Sequence, residues 1–254
     1  PAISGSSRPL RSPFAVAADL LSPSPPSLGT EAFISEVLGE FLWSKQRAIC
    51  AAVDAHRRVA VQSCHDIGKS WSAARVACAW LGRHPPGEAF VVTSAPTFAQ
   101  VRGILWREIQ RAFRRAPPGA LPGRVNQTEW LLGNELIAFG RKPSDTDPAA
   151  FQGIHAMYVL VILDEAGGVP RSLWDAASAL TTNENARILA IGNPDDPESH
   201  FATVCRPGSG WHVIHIGAED TPAFTGEAVP RELLPLLISP TWVAEKAQEW
   251  GETS

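Results

Sequence analysis

Short apolar segments alternate with longer amphipathic segments along the chain, and this alternation predicts strands that alternate with helices. Apolar runs of the kind found in buried parallel strands occupy residues 90–95, 157–163 and 187–191, and further strands are predicted at residues 58–62, a short β-branched run of alternating character, and 211–216. Because parallel strands need long crossover connections, helices are expected between them. The pattern therefore predicts an α/β fold in which helices cover both faces of a mostly parallel sheet.

Helical periodicity and helix-start signals locate the elements between the strands. Predicted helices span residues 31–42, 46–56, 70–81, 97–115, 173–180 and 242–250. Thr97 and Gln100 have the spacing of a capping box, which marks the start of the fourth helix. Gly133-Asn134 separates two short apolar runs, at residues 128–132 and 136–139, and predicts a β-hairpin.

The length of 254 residues suits one large α/β domain, or one domain with a small appendage. Residues 1–30 are rich in Ser and Pro, and we expect a flexible arm with one short helix near residues 15–21. Residues 31–218 contain the predicted strands and form the expected core. Residues 219–254 are Pro-rich and irregular up to about residue 240 and then helical, so we treat them as a separate segment.

A phosphate-binding loop is predicted between the first strand and the third helix. The segment resembles a P-loop, in which a small residue and four variable positions precede Gly-Lys-Ser, and it comprises Ser63, Cys64, His65, Asp66, Ile67, Gly68, Lys69 and Ser70. Ser63 stands where the motif has its first Gly, and Ser is still small. A strand before the loop and a helix after it are the context that the motif requires. The alternative is a Gly-Lys-Ser that only begins a surface helix.

The residue types in this loop suit a bound triphosphate with Mg²⁺. Backbone N–H groups at a helix N-terminus stabilise phosphate charge, and Gly68 lets the backbone approach the phosphates. Lys69 is expected to contact the β- and γ-phosphate oxygens, and the Ser70 hydroxyl is expected to bind Mg²⁺. Gln46 can donate to and accept from the adenine edge, but taken alone it is better explained as an ordinary residue at a helix start.

Two adjacent carboxylates end the strongest of the predicted strands. Asp164 and Glu165 follow the apolar run at residues 157–163, and charges at this place are costly unless a ligand uses them. Downstream of a P-loop, Asp164 is predicted to hold Mg²⁺ and Glu165 to act as general base toward the attacking water. Asn193 follows the next strand and is a candidate sensor of the γ-phosphate; the alternative is a turn residue before Pro194.

Composition and charge narrow the classes of function. The net charge is −4, so any nucleic-acid contact needs a local basic patch. The helix at residues 97–115 carries a run of arginines, and we favour a solvated face over a nucleic-acid-binding face; the run comprises Arg102, Arg107, Arg111, Arg114 and Arg115. The four cysteines include no CxxC pair, which disfavours zinc, and no apolar run has the length of a membrane span.

Together these motifs resemble the ATPase domain of large terminase subunits, the DNA-packaging motors of tailed bacteriophages. The motifs that carry the resemblance occur in the family's order over residues 41–224: Trp43-x-x-Gln46-Arg47, the P-loop, Thr93-Ser94-Ala95-Pro96-Thr97, Phe151-Gln152-Gly153, Asp164-Glu165-Ala166 and Gly192-Asn193-Pro194. The Phe-Gln-Gly and Gly-Asn-Pro motifs favour terminases over helicases. The resemblance implies a RecA-like P-loop NTPase fold, ATP and Mg²⁺ as cofactors, adenine contact by Gln46 and a coupling role for Asn193.

The same resemblance implies partners and a location. It implies an ATP-driven translocase of double-stranded DNA that forms a homo-oligomeric ring on the portal protein of an empty capsid in the host cytoplasm, with a monomer in solution and the small terminase subunit as a further partner. The family's nuclease domain is not expected in this chain, and residues 219–254 would begin the linker subdomain.

Two departures from the family pattern concern arginines. The loop carries His65-Asp66 where members often have Arg, and Gln152 stands where many have another Arg. That second Arg can act on the nucleotide of a neighbouring subunit. Arg141 is the nearest substitute in this chain and is the expected arginine of that kind.

Two other functions stay open from the residues alone. A superfamily 2 DNA helicase shares several of the motifs, but the chain leaves no room for its second RecA-like domain. A non-catalytic P-loop module that binds the small terminase subunit or the portal is suggested by the altered loop. The intact set of Lys69, Ser70, Asp164 and Glu165 argues against that reading.

Overall fold

A computed structural model describes residues 28–142 and 154–250 of the chain. Almost all of the predicted N-terminal arm with its short helix, most of the polar loop after Gly140, and the Phe151-Gln152-Gly153 motif lie outside these residues. Within residues 28–142 and 154–250, no helix is both long and apolar enough to cross a bilayer.

The described strands form one sheet of eight, in the order β3-β4-β5-β2-β6-β7-β1-β8. They are β1 (Arg58–Ser63), β2 (Ala89–Ser94), β3 (Arg124–Val125), β4 (Glu129–Leu132), β5 (Glu135–Gly140), β6 (Tyr158–Asp164), β7 (Arg187–Gly192) and β8 (His212–Ile216). The pairs β5–β2, β2–β6, β6–β7, β7–β1 and β1–β8 are parallel, and the pairs β3–β4 and β4–β5 are antiparallel. The predicted mostly parallel α/β sheet is therefore confirmed, with the hairpin around Gly133-Asn134 at one edge.

Helices connect the strands on both faces of the sheet. The longer ones are α1 (Ser44–Ala55), α2 (Lys69–Arg83), α3 (Trp106–Arg115), α4 (Arg171–Leu180), α5 (His200–Val204) and α6 (Pro240–Trp250). A helical turn (Phe98–Gln100) and a π-helical turn (Val101–Leu105) lead into α3. The Thr97 hydroxyl accepts from the Gln100 backbone N–H at 3.2 Å, so the predicted capping box starts this helical segment.

One predicted boundary near the start of the described chain is wrong, and a segment near its end contains short helical turns. The helix expected over residues 31–42 consists of a short α-helical turn (Thr30–Ala32) and a π-helical turn (Phe33–Val37), and it ends before Gly39. Gly39 has a φ of 67°, a left-handed conformation that stops a helix and favours glycine. The segment expected to be irregular before residue 240 contains short helical turns at Ala218–Asp220, Pro222–Thr225 and Leu234–Leu236.

Each face of the sheet buries its own apolar core. One core lies with α1, α2 and α3 and includes Trp106, and the other lies with α4 and α5 and includes Trp174. Along β6, Leu160 and Ile162 belong to the first core while Val161 belongs to the second. Because both faces are covered, the strand has no solvent side, and this is why it is continuously apolar in sequence.

The segment after β8 returns to the start of α1. The Glu227 carboxylate accepts from the backbone N–H of Ser44 at 2.8 Å, from its hydroxyl at 2.6 Å and from Arg47 Nη2 at 3.1 Å. Lys45 and Asp220 form an ion pair at 2.9 Å. These contacts hold the segment beside the carboxyl ends of the strands, where the predicted site residues lie.

Candidate nucleotide site

The predicted site residues follow three adjacent parallel strands. In the sheet, β7 lies between β6 and β1, with Asp164 opposite Ile191 and Gln62 opposite Gly192. The loop after β1, the Asp164-Glu165 pair after β6 and Asn193 after β7 therefore meet at one edge. This is the edge at which open α/β sheets bind ligands.

The loop between β1 and α2 is held by its own backbone and by β8. The Cys64 N–H donates to the Ile216 carbonyl at 2.9 Å, and Gly68 caps α2 with a φ of 79°. A β-carbon on Gly68 would lie 3.0 Å from Nε2 of Gln46. The left-handed conformation and this close approach both explain why Gly stands here. Asp66 also has a positive φ, 52°, in the same tight loop.

Other members of the loop have structural contacts. Ser63 is buried, and its hydroxyl donates to the Cys64 carbonyl at 3.3 Å. The Ile67 side chain is fully buried in the core beneath the loop. Burial raises the pKa of the Cys64 thiol above its usual value, against the opposing charge of Lys69.

The buried Lys69 ammonium reaches two acceptors. It donates to the Cys64 carbonyl at 2.9 Å and to Oδ1 of Asn193. The Asn193 amide nitrogen in turn lies 2.9 Å from Nε2 and 3.1 Å from Nδ1 of His65, so it donates to that imidazole. Asn193 therefore joins the end of β7 to two residues of the loop after β1.

Ser70 and Asp164 are in direct contact. The Ser70 hydroxyl donates to Oδ2 of Asp164 at 2.9 Å. Asp164 is completely buried, and its Oδ1 has no hydrogen-bond partner among the described residues. Burial raises the pKa of this carboxyl to about 6 against the Ser70 hydrogen bond, and the charge of Glu165 adds to the rise.

These donors fit a bound Mg²⁺. A buried carboxylate with one unpartnered oxygen, next to a hydroxyl oxygen, offers hard oxygen ligands of the kind that Mg²⁺ takes. The described residues contain no cluster of three or more His, Cys, Asp and Glu side chains that would form an all-protein metal cage. Mg²⁺ usually keeps waters and substrate phosphates as its other ligands, so one carboxylate and one hydroxyl are enough.

Glu165 is positioned by close packing at the ends of β6 and β7. It has a φ of 49° and caps the short turn Ala166–Gly168. A β-carbon on Gly192 would lie 2.8 Å from the Ala166 backbone nitrogen, and one on Gly168 would lie 2.8 Å from Pro96. The glycines let three loops approach one another, and this packing holds the backbone turn that carries Glu165.

A cavity of about 400 Å³ lies at this edge of the sheet, and its wall includes Lys69, Ser70 and Glu165 but neither Asp164 nor Asn193. Its lining comprises Phe41, Gln46, His65, Asp66, Gly68, Lys69, Ser70, Trp71, Glu108, Arg111, Glu165, Leu233, Leu236 and Leu237. Gln46 is nearly buried, and its Oε1 accepts from the Trp43 N–H at 3.4 Å. The carboxamide oxygen is thus shared with the backbone, whereas Nε2 faces the loop.

Arg141 lies apart from this cavity. It follows β5, which is separated from β6 by β2, and its backbone N–H donates to the Thr93 carbonyl at 3.1 Å. Its exposed guanidinium lies 4.3 Å from the centre of the Phe139 ring. The lining residues of the cavity do not include Arg141.

Several lining residues escaped the sequence reasoning. Trp71 could have been found from its position directly after Ser70. Phe41, Leu233, Leu236 and Leu237 had no such signal, because they are distant in sequence from the loop. Arg111 is the exception to the solvated face expected for the arginine run, since it faces the cavity. The other four arginines of that run are exposed.

The fold is that of phage large terminase ATPase domains, as the sequence motifs predicted. The large terminase ATPase domain of Thermus phage P74-26 is 18% identical over 89% of this chain and 95% of its own, with a TM-score of 0.57. The bacteriophage HK97 large terminase is 17% identical over 88% of this chain with a TM-score of 0.59, and this chain spans 52% of its length.

A third similar structure contains a nucleotide. The large terminase of a thermophilic bacteriophage in complex with ADP is 15% identical over 75% of this chain and 48% of its own, with a TM-score of 0.52. No protein-family model matches the chain, and no curated protein matches it by sequence.

Proposed function

We propose that this chain binds ATP with Mg²⁺ and hydrolyses it as the ATPase part of a motor that moves double-stranded viral DNA into a procapsid. The observation that carries the proposal is the 2.9 Å contact between Ser70 and the buried Asp164, with Ser70 sharing one cavity with Lys69 and Glu165. A hydroxyl and a buried carboxylate for the metal, a second carboxylate as base and an ammonium for phosphate are the groups that ATP hydrolysis uses.

Each of these groups has a distinct role in the proposal. Ser70 and Asp164 would hold Mg²⁺, which supplies positive charge to the β- and γ-phosphate oxygens. Lys69 exchanges its bonds to Cys64 and Asn193 for bonds to phosphate oxygens. Glu165 orients the attacking water and accepts its proton, and its position on the cavity wall supports this role.

The remaining lining suits the rest of the nucleotide. Backbone N–H groups from Ser63 to Ser70 surround the phosphates at the N-terminus of α2. Gln46 donates from Nε2 to the adenine edge, because its Oε1 already accepts from the backbone. Phe41 and Leu236 give the apolar surface that a base needs.

The motor part of the proposal rests on the fold that the chain shares with terminase ATPase domains. Double-stranded DNA, the portal protein and the small terminase subunit are the proposed partners, in a ring in the host cytoplasm. Arg141 is the proposed arginine that completes the site of a neighbouring subunit, since it is exposed and lies off its own cavity. Such a residue contributes about 10³-fold or more to turnover.

The test is Mg-ATP turnover measured against protein concentration, with Lys69→Ala as the blank. Specific activity that rises with concentration above an inactive blank supports a site completed by a neighbour, and Arg141→Ala should then abolish the rise. Constant specific activity above the blank supports ATP hydrolysis within one chain and removes Arg141 from the role. Turnover equal to the blank, together with no Mg-ATP binding at millimolar concentration, contradicts the proposed function.

A further inference from the structure

A chain of charged groups joins α2 to α3 beside the cavity. Arg75 of α2 is completely buried, and its Nε and Nη2 donate to the Glu40 carboxylate at 2.6 and 2.9 Å. Its Nη1 donates to Oε2 of Glu108 at 2.9 Å. Oε1 of Glu108 accepts from Nη1 of Arg111 at 2.5 Å. Glu108 thus accepts from two guanidinium groups, one on each side.

The two arginines differ in what they would lose by leaving Glu108. Arg75 is fixed by two carboxylates in a fully buried place, so its departure would leave buried charges unpaired. The Arg111 side chain is 40% exposed and lines the cavity, and Glu108 is its acidic partner in the described part of the chain. When Arg111 turns away, Glu108 still has Arg75. Release of Arg111 therefore leaves no buried charge without a partner.

The charge of the cavity wall favours such a release when phosphate enters. The cavity lining contains two cationic side chains, Lys69 and Arg111. It also contains three carboxyl groups, those of Asp66, Glu108 and Glu165. A triphosphate adds several negative charges to a wall that is not cationic. A guanidinium can donate two parallel hydrogen bonds to the oxygens of one phosphate group. Phosphate can therefore compete with the Glu108 carboxylate for the half-exposed Arg111.

We propose that Arg111 binds the phosphate chain of the nucleotide held in the same chain, and that the buried Arg75–Glu108 pair keeps it aimed at the cavity. The inference rests on the proposed ATP site. The arginines of α3 then differ in role. Arg111 binds the nucleotide, whereas its exposed neighbours Arg107 and Arg114 do not line the cavity.

The experiment compares two ligands in Arg111→Ala and in a matched control, Arg107→Ala, which removes an exposed arginine of the same helix. Mg-ATP carries both base and phosphates, whereas Mg-tripolyphosphate carries phosphates alone. Isothermal titration calorimetry should show that Arg111→Ala raises the dissociation constants of both ligands by about tenfold or more. Arg107→Ala should leave both dissociation constants unchanged. Arg111→Lys should recover part of the loss, since it restores charge without the bidentate geometry.

Arg111→Gln provides a second test if the alanine variant does not fold, because Gln can still donate to Glu108. It should reproduce the loss for both ligands, with a melting temperature close to that of the unchanged chain. Weaker binding of Mg-ATP with unchanged binding of tripolyphosphate would place Arg111 at the base and overturn the inference. Unchanged binding of both ligands would also overturn it while leaving the proposed function intact. Absence of Mg-ATP binding by the unchanged chain would overturn both.

Discussion

The Lys69 ammonium donates a hydrogen bond to Oδ1 of Asn193, although 124 positions separate the two residues along the chain. Phosphate oxygens compete for the same ammonium, so a bound triphosphate would free the Asn193 amide. Asn193 follows β7 directly, next to the strand that ends in Asp164. In the proposed ATP site, a change at the phosphates would therefore reach the end of β7 through Asn193, as its proposed coupling role requires.

We expect Asn193→Ala to lower kcat by about 10²-fold while KM for Mg-ATP changes little, because the side chain acts after Lys69 has bound phosphate. Steady-state kinetics at saturating Mg²⁺ measures both constants. Asn134→Ala, in the exposed turn between β4 and β5, is the control and should change neither. A rise in KM with unchanged kcat would show instead that Asn193 only contributes to ground-state binding.

Glu165→Gln removes the proposed general base while keeping the size of the side chain. We expect turnover to fall by about 10²- to 10⁴-fold, with Mg-ATP binding retained, because Glu165 acts on the water and not on the phosphates. Single-turnover hydrolysis and equilibrium binding distinguish the two effects. Glu135→Gln, on the exposed part of the hairpin, is the matched control. Retained hydrolysis would remove Glu165 from the role.

The buried carboxyl of Asp164 predicts pH-dependent stability. Burial raises the pKa of this carboxyl from 3.8 to about 6, against the hydrogen bond from Ser70. Because the folded pKa lies above the unfolded one, the unfolded chain loses its proton first as pH rises. The ionised carboxylate therefore destabilises the fold, from no effect below about pH 4 to its full effect above about pH 6.

Asp164→Asn removes that charge and should raise the free energy of unfolding by about 3 kcal/mol at pH 8 in the absence of Mg²⁺. The advantage should vanish at about pH 3, where Asp164 is protonated in both the folded and the unfolded chain and is neutral like Asn. Urea unfolding in EDTA at the two pH values measures it, with the exposed Asp195→Asn as control. A difference independent of pH would attribute the effect to packing rather than to charge.

The Arg75 network predicts a large loss of stability from one substitution. Arg75→Met keeps an apolar stem of similar length but leaves Glu40 without its bidentate partner, and we expect a loss of about 3 kcal/mol or more. Arg171→Met breaks the exposed pair with Asp175 and should cost less than about 1 kcal/mol. Urea unfolding compares them, and similar losses for the two variants would contradict the special role of the buried pair.

The close approach of β7 to the Glu165 turn makes Gly192 sensitive to a single methyl group. In Gly192→Ala the new β-carbon would lie 2.8 Å from the Ala166 nitrogen, so the turn must move and Glu165 with it. We expect turnover to fall by about tenfold or more, since small misplacements of catalytic groups are costly. Gly103→Ala, whose β-carbon would meet nothing within 4 Å, should retain activity. Equal activity of the two variants would contradict this account of Glu165.

The strands and the local parts of the site could be predicted from the amino-acid pattern alone. The central strands β1, β2, β6 and β7 are apolar on both faces, so they could be recognised without knowledge of their neighbours in the sheet. Gly68, Lys69 and Ser70 were readable because the loop needs a left-handed glycine and a helix start next to each other in the chain. The Asp164-Glu165 pair was visible as charge at the end of a buried strand.

Which distant residues meet at that site depends on how the elements pack, and the amino-acid pattern does not show that packing. Arg141 lies apart from the cavity because β2 lies between β5 and β6 in the sheet. The periodicity of a strand does not indicate its place in the strand order. Glu40 and Arg75 pair across 35 positions and Ser44 and Glu227 across 183, and neither pair has a local signature. Arg111 looked like any solvated arginine on a helix, because which side chain faces a cavity depends on how α3 packs against α2, and that packing is absent from the pattern of a single helix.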